Sequence, residues 1–329
     1  MDFLVTGCAG FIGRAVSENL LKLGHSVIGI DNLNNYYSPE LKKLRLSTLQ
    51  SFEKFTFLNK DISSIDIKEM KNKKIDFLVH LAAQPGVRLK PELYVNYVNS
   101  NLLGFIKICS MVKELEIGNF IYASSSSVYG NTSKTPFSES ELELSPNSFY
   151  GYSKLMNEKI ANDFFFTLKQ VNYIGLRFFT VYGEFGRPDM LYFKIAQNLL
   201  CNSELKLYGN GTVQRDFTYI GDVVKSFQII VDKMSSGIKW HPNIVNVGGG
   251  KPISMNKLIA IFEDITKKRV NALYCSANSQ DMLKTEASYK LLNEMTNYVP
   301  DTSLNDGIEK FYKWLSEEYK KNKVSQWIF

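Results

Sequence analysis

Phe3-Leu4-Val5-Thr6-Gly7-Cys8-Ala9-Gly10-Phe11-Ile12-Gly13 opens the chain with a short apolar run that passes into three glycines spaced G-x-x-G-x-x-G. The apolar run predicts a buried strand, and the residues beyond Gly10 to about Leu23 predict a helix. A glycine triplet alone is a weak signal, but between a strand and a helix it has a physical use. One glycine permits the tight turn, another lets backbone approach a pyrophosphate, and the last lets helix and strand pack closely. The helix N-terminus then presents free N–H groups and a partial positive charge to an anion. Gly7, Gly10, Phe11, Ile12 and Gly13 are therefore candidate cofactor contacts. Residues 25–30 read as a second strand ending at Asp31, 18 residues beyond Gly13. A carboxylate there can accept hydrogen bonds from both adenosine ribose hydroxyls and would repel a 2′-phosphate, which favours NAD over NADP.

Outward from this unit, strand and helix patterns alternate. Strands are predicted over 55–58, 77–81, 119–123 and 172–177, with helices near 39–49, 94–115 and 148–169. That order argues for an α/β fold, a doubly wound parallel sheet covered on both faces. The second half reads as a smaller mixed lobe: helices over 189–201, 220–233, 254–268 and 307–318, strands over 205–208 and 243–247, and turns at Gly209-Asn210-Gly211 and Gly248-Gly249-Gly250. The expected division is a dinucleotide-binding domain over 1–177 and a mainly substrate-binding lobe over 178–329, with a segment near 213–250 crossing back. Asp61-Ile62, after the third strand, can meet an adenine edge or cap a helix.

Composition bounds the function. The chain has 329 residues, 44% hydrophobic and 22% charged, with a net charge of +6, ordinary for a globular enzyme. Its charges are scattered rather than striped, which argues against nucleic acid. No run approaches the roughly 18 apolar residues of a membrane span. Cys8, Cys109, Cys201 and Cys275 form no C-x-x-C pair, and His25, His80 and His241 lie far apart, so no metal site is expected. A reduced, cytoplasmic setting follows. Cys8 reads as a small buried filler, and His80, at a strand end, as a satisfier of backbone groups.

Tyr150-Gly151-Tyr152-Ser153-Lys154 puts Tyr150 and Lys154 four residues apart, on one helix face. A phenol with a pKa near ~10 is a poor base at neutral pH. A neighbouring ammonium and an oxidised nicotinamide would favour phenolate, giving a general base. Tyr152 is on the wrong face for Lys154. Upstream, Ser124-Ser125-Ser126-Ser127 follows a strand, and one of these hydroxyls can orient a substrate hydroxyl toward Tyr150.

Thr6 to Gly13, Asp31, the serine run and Tyr150-x-x-x-Lys154 resemble the extended short-chain dehydrogenase/reductase family, the NAD-dependent epimerases and dehydratases. Further strings sharpen the likeness to UDP-glucuronate 4-epimerases: Asp31-Asn32-Leu33-Asn34-Asn35-Tyr36-Tyr37, His80-Leu81-Ala82-Ala83-Gln84-Pro85-Gly86-Val87-Arg88, Arg177-Phe178-Phe179-Thr180-Val181-Tyr182-Gly183, Gly186-Arg187-Pro188-Asp189-Met190 and Arg215-Asp216-Phe217-Thr218-Tyr219-Ile220. The likeness spans residue 3 to about 225. Asp281-Met282-Leu283-Lys284-Thr285 departs from the Pro-Gly-Asp turn that many relatives carry.

The resemblance implies an isomerase that uses NAD to oxidise a UDP-sugar at C4, lets the 4-keto sugar turn, and returns hydride to its other face. It adds Asn32, Asn35, Asp61, Ile62, Leu81, Ala82, Ala83, Gln84 and Asn101 to the cofactor residues, and assigns Tyr150, Lys154 and Ser125 to catalysis. Arg88, Ser125, Ser126, Ser127, Thr180, Arg187 and Arg215 would meet the substrate, Arg187 and Arg215 at its diphosphate and Arg88 nearer the sugar acid. Dehydratases of the family carry Asp-Glu where Ser126-Ser127 stands, so dehydration is disfavoured. Thr180 replaces the Asn usual in glucose-type epimerases and glucuronate decarboxylases. UDP-glucuronate decarboxylation, epimerisation of UDP-glucose or UDP-N-acetylglucosamine, and a non-catalytic nucleotide-binding regulator are the alternative readings. Relatives pair two long helices into a dimer. Here those would be helices 94–115 and 148–169, with Leu102, Phe105, Ile106 and Phe164 as contributors.

Overall fold

The apolar runs sort onto two faces of one sheet because alternate strand residues point to opposite sides. The computed structural model describes residues 1–87, 90–131, 134–168, 170–239, 243–275, 282–321 and 327. The strands are β1 (Asp2–Thr6), β2 (Ser26–Asp31), β3 (Phe55–Asn59), β4 (Phe77–His80), β5 (Asn119–Ser125), β6 (Asn172–Phe178), β7 (Thr180–Tyr182), β8 (Leu205–Tyr208), β9 (Gln214–Tyr219), β10 (Ile244–Val247), β11 (Pro252–Ser254) and β12 (Ala272–Cys275). The helices are α1 (Phe11–Lys22), α2 (Pro39–Gln50), α3 (Tyr94–Tyr97), α4 (Gly104–Glu114), α5 (Phe149–Phe165), α6 (Leu191–Cys201), α7 (Ile220–Ser235), α8 (Met255–Thr266), α9 (Lys290–Thr296) and α10 (Leu304–Lys320).

Seven strands form a parallel sheet in the order β10-β6-β5-β4-β1-β2-β3. Phe3, Val5, Val27, Val79 and Ile121 meet α1 and α7 on one face, through Val16, Leu20, Val223 and Phe227. Leu4, Ile30, Leu78, Phe120 and Tyr122 meet α4 and α5 on the other, through Phe105, Ile108 and Phe165. This is the doubly wound arrangement expected. The strand order reverses between β1 and β4, and ligands of such sheets bind beyond the strand ends at that crevice. A second core joins Leu41 of α2 to α6, α8 and α10. Two small sheets, β11-β9-β7 and β12-β8, accompany it.

Several elements differ from expectation. Residues 94–115 are not one α-helix: Val98–Leu103 is a π segment between α3 and α4. It brings the Asn101 carbonyl to within 2.5 Å of the Asn157 amide nitrogen on α5. π turns of this kind occur often at functional sites. The strands β7, β9, β11 and β12 carry too little apolar alternation to be read, and β7 and β11 span only three residues each. Among the described residues the hydrogen bond of His80 is to a side chain rather than to backbone: its Nδ1 lies 2.8 Å from the Thr6 hydroxyl, and burial lowers its pKa to about 3. Cys8 is fully buried. Among the described residues no helix is long and apolar enough to cross a membrane.

Candidate active site

Where β1, β2, β4 and β5 end, the chain leaves a cavity of about 670 Å³. Gly7, Gly10, Phe11, Ile12 and Gly13 line it, with Asp31, Asn32, Asp61, Ile62, Leu81, Ala82 and Ala83. The glycine spacing is steric. Gly7 has φ +75°, and a Cβ there would lie 2.7 Å from the Ala82 nitrogen; at Gly13 it would lie 2.0 Å from the Gly7 carbonyl oxygen. Gly10 caps α1 without a side-chain hydrogen bond, and no acid stands in the first turn. The helix end thus faces the cavity uncapped, a seat for a pyrophosphate. Asp31 accepts hydrogen bonds from the Ala9 N–H at 3.1 Å and the Leu33 N–H at 2.9 Å. It therefore ties the glycine loop to the end of β2. This donor set, with a carboxylate at the ribose position, fits NAD.

Of its two readings, Asp61 shows the helix cap. It caps a short helical turn through the Ser63 N–H at 2.9 Å, accepts from the Asn32 amide at 2.6 Å, and lines the cavity. Three expected cofactor residues are not on the cavity wall. Asn35 is exposed outside it. Gln84 and Asn101 are buried behind it, where the Asn101 side chain accepts from the Gln84 N–H at 2.7 Å and donates to the Ser153 hydroxyl at 3.0 Å. Asn101 thereby braces the helix that carries Tyr150 and Lys154.

That helix, α5, begins at Ser148, whose hydroxyl accepts from the Gly151 N–H at 3.1 Å. A Cβ on Gly151 would approach the Ser127 carbonyl oxygen to 2.6 Å, so glycine permits α5 to lie against the serine loop. Tyr150, Lys154 and all four serines of 124–127 line the cavity. Burial raises the Tyr150 pKa, while the Arg187 cation and hydrogen bonding with Ser125 oppose the rise. The Lys154 ammonium donates to the Ala123 carbonyl at 2.8 Å, and burial lowers its pKa to about 8, Glu158 opposing. The ammonium is thus held to strand β5, and the Arg187 cation also opposes the rise at the phenol, a contribution the Tyr150–Lys154 spacing does not reveal.

Beneath the serines lies a buried ion pair. Glu158 accepts from Arg177 Nε at 2.9 Å and Nη2 at 2.7 Å, and from the Ser124 hydroxyl at 2.5 Å. Arg177 also donates to Tyr129 at 2.8 Å. The ends of β5 and β6 are locked together at the point where Ser125 emerges.

Ser126, Ser127, Thr180, Arg187 and Arg215 also line the cavity. Arg187 pairs with Asp189, Nε to Oδ1 at 3.0 Å, and this carboxylate holds its pKa above the ordinary range despite burial. Arg215 Nη1 donates to the Met282 carbonyl at 2.6 Å. Arg88 and Asp281 lie outside the described residues. Sequence reasoning missed Lys42, Tyr36 and Asp189, which also line the cavity. The signal for Lys42 was present: α2 buries Leu41, Lys42, Arg45, Leu46 and Leu49, and two cations in an otherwise leucine stripe are out of place unless something holds them.

The NAD dependent epimerase/dehydratase family matches residues 3–248. UDP-glucuronate 4-epimerase 4 of Arabidopsis thaliana is 37% identical over 97% of this chain and 76% of its own length. Protein CapI of Staphylococcus aureus is 36% identical over 98% of this chain and all of its own. The crystal structure of UDP-glucuronic acid 4-epimerase from Bacillus cereus, in complex with UDP-glucuronic acid and NAD, superposes with a TM-score of 0.88 at 31% identity. It covers 97% of this chain and 100% of that one.

Proposed function

The chain belongs to the NAD dependent epimerase/dehydratase family, and from that premise we propose that it is an NAD-dependent UDP-glucuronate 4-epimerase, interconverting UDP-glucuronate and UDP-galacturonate. The observation that carries the reading is one cavity lined by three chemistries: a glycine loop with Asp31; Ser125, Tyr150 and Lys154; and Ser126, Ser127, Thr180 and two arginines.

Gly7, Gly10, Phe11, Ile12 and Gly13 hold the pyrophosphate of NAD, Asp31 its adenosine ribose, and Asn32, Asp61, Ile62, Leu81, Ala82 and Ala83 the surrounding walls. Bound NAD supplies the hydride acceptor and donor at the sugar C4. Tyr150 Oη takes the proton of the 4-hydroxyl and later returns it, and the Ser125 hydroxyl orients that group. Lys154, on the same cavity wall, would hold positive charge toward bound NAD and the phenol. Arg187 and Arg215 face the UDP diphosphate, since guanidinium suits such oxyanions. Ser126, Ser127 and Thr180 offer hydroxyls to the sugar carboxylate. No acid adjoins Ser125 to expel water, so the 4-keto sugar turns over and is reduced again. Holding the carboxylate out of line with the breaking bond limits loss of carbon dioxide.

Two further features belong to the proposal. Leu103, Ile106, Tyr152 and Met156 leave apolar surface exposed on the helical segments of 94–114 and on α5, which supports a homodimer formed through those elements. Ile106 remains a contributor there. Phe105 does not: it is fully buried in the sheet core, while Leu102 and Phe164 are partly buried. The four free cysteines suit a cytoplasmic setting, where UDP-galacturonate would serve polysaccharide synthesis.

The test is product analysis by NMR after incubation with UDP-glucuronate, UDP-glucose and UDP-N-acetylglucosamine, with absorbance followed for net reduced nicotinamide. UDP-galacturonate with little pentose and no net reduction is expected. Abundant pentose would overturn the reading in favour of decarboxylation.

A further inference from the structure

Lys42 is only 5% exposed, yet it lies on the wall of the cofactor cavity. Among the described residues its hydrogen bond is to a neutral acceptor, Asn34 Oδ1, at 2.8 Å. Its Nζ stands 4.8 Å from the centre of the Tyr37 ring. The charged groups that act on it are Asp31, which favours its ammonium, and Arg45 and Arg187, which oppose it. None of them forms an ion pair with it, and burial pulls its pKa down to about 8. A buried cation facing a cavity without a contacting anion is costly, and an anionic ligand can offset that cost.

The dinucleotide is the better match than the UDP-sugar. Lys42 and Asn34 belong to the stretch that runs on from Asp31, the residue at the adenosine ribose, and α2 is tied to the glycine loop. Arg45, one turn on from Lys42, donates to the Ala9 carbonyl at 3.2 Å and to the Gly186 carbonyl at 2.9 Å. This ties α2 to the glycine loop, while the Lys42 ammonium bonds to Asn34, three residues past Asp31, and feels the Asp31 carboxylate. Resting on the family reading above, we infer that the Lys42 ammonium is a further ligand of the dinucleotide, meeting the anionic phosphate on its adenosine side.

Titration calorimetry of wild type, Lys42→Met and Lys42→Gln with NAD and, separately, with UDP tests this. Both variants should bind NAD about tenfold more weakly or worse, the usual loss for a charge-assisted contact. Both should bind UDP within twofold of wild type, which also shows that the cavity is folded. Lys42→Gln keeps a polar group for Asn34 should the methionine variant be unstable. NAD bound equally by variants and wild type would overturn the inference alone, as would a loss of UDP affinity equal to that of NAD. Wild type unable to bind NAD would overturn the function on which it rests.

Discussion

Lys154 spends its ammonium on the carbonyl of Ala123, 2.8 Å away and two residues before Ser125. The lysine is therefore an anchor between α5 and the end of β5 before any ligand arrives. Its burial also has a thermodynamic signature. With a folded pKa of about 8 against an ordinary 10.5, the unfolded chain binds more protons at this group between those values. Stability then rises with pH across that window, and the penalty for the buried charge is full below pH 8. Lys154→Met should lack this dependence. Thermal melts of the two proteins should show the wild type gaining on the variant between pH 8 and 10.5, while the variant loses epimerase activity at every pH.

Tyr150 must lose its proton to act as base, so activity is present above the phenol pKa and lost as pH falls through it. Burial raises that pKa and Arg187 opposes the rise. Arg187→Met should therefore move the acidic limb of the kcat/KM profile to higher pH. Ser125→Ala should move it in the same direction by removing a hydrogen bond to the phenolate. A profile unmoved in both variants would place the titrating group elsewhere.

The Arg177–Glu158 pair is nearly inaccessible, with side chains 4% and 11% exposed. Removing one partner leaves the other charge buried and uncompensated, at a cost of about 3–5 kcal/mol. Urea denaturation of Arg177→Met should show a loss of that order. Ser124→Ala, which removes one hydrogen bond to the Glu158 carboxylate while leaving the ion pair in place, should lose less, about 1.5–3 kcal/mol.

Gly7 has no room for a methyl group, being 2.7–2.9 Å from the backbone of Leu81 and Ala82 at the Cβ position and at positive φ. Gly7→Ala should destabilise the fold and weaken NAD binding together, because the loop must shift from β4 to accommodate it. Calorimetry and thermal melting on the same sample check both effects.

Much of this was readable from residues 3–31 and 119–154. The parallel sheet shows because strands buried on both faces are continuously apolar, and the glycine loop because turn and close approach demand glycine. Ser125, Tyr150 and Lys154 meet in one cavity, as their spacing and strand-end position implied. What stayed hidden depends on partners distant in sequence. Arg187, which opposes the rise at Tyr150, and Asp189, which pairs with Arg187, come from the segment between β7 and α6, far from Tyr150 in sequence. Asn101 and Gln84 bind each other behind the wall rather than facing it, and the π turn that seats Asn101 leaves no mark in hydrophobic periodicity. Strand β9 alternates weakly in Gln214-Arg215-Asp216-Phe217 because Asp216 is buried with backbone partners, the N–H groups of Gly250 and Ala287 at 2.9 Å.

Transient oxidation at C4 can be followed by label. UDP-glucuronate carrying deuterium at C4, incubated with the enzyme in ordinary water, should give UDP-galacturonate with the deuterium retained at C4, because the hydride removed from one face is the one returned to the other. Epimerised product that has exchanged its C4 deuterium for solvent hydrogen would contradict the account.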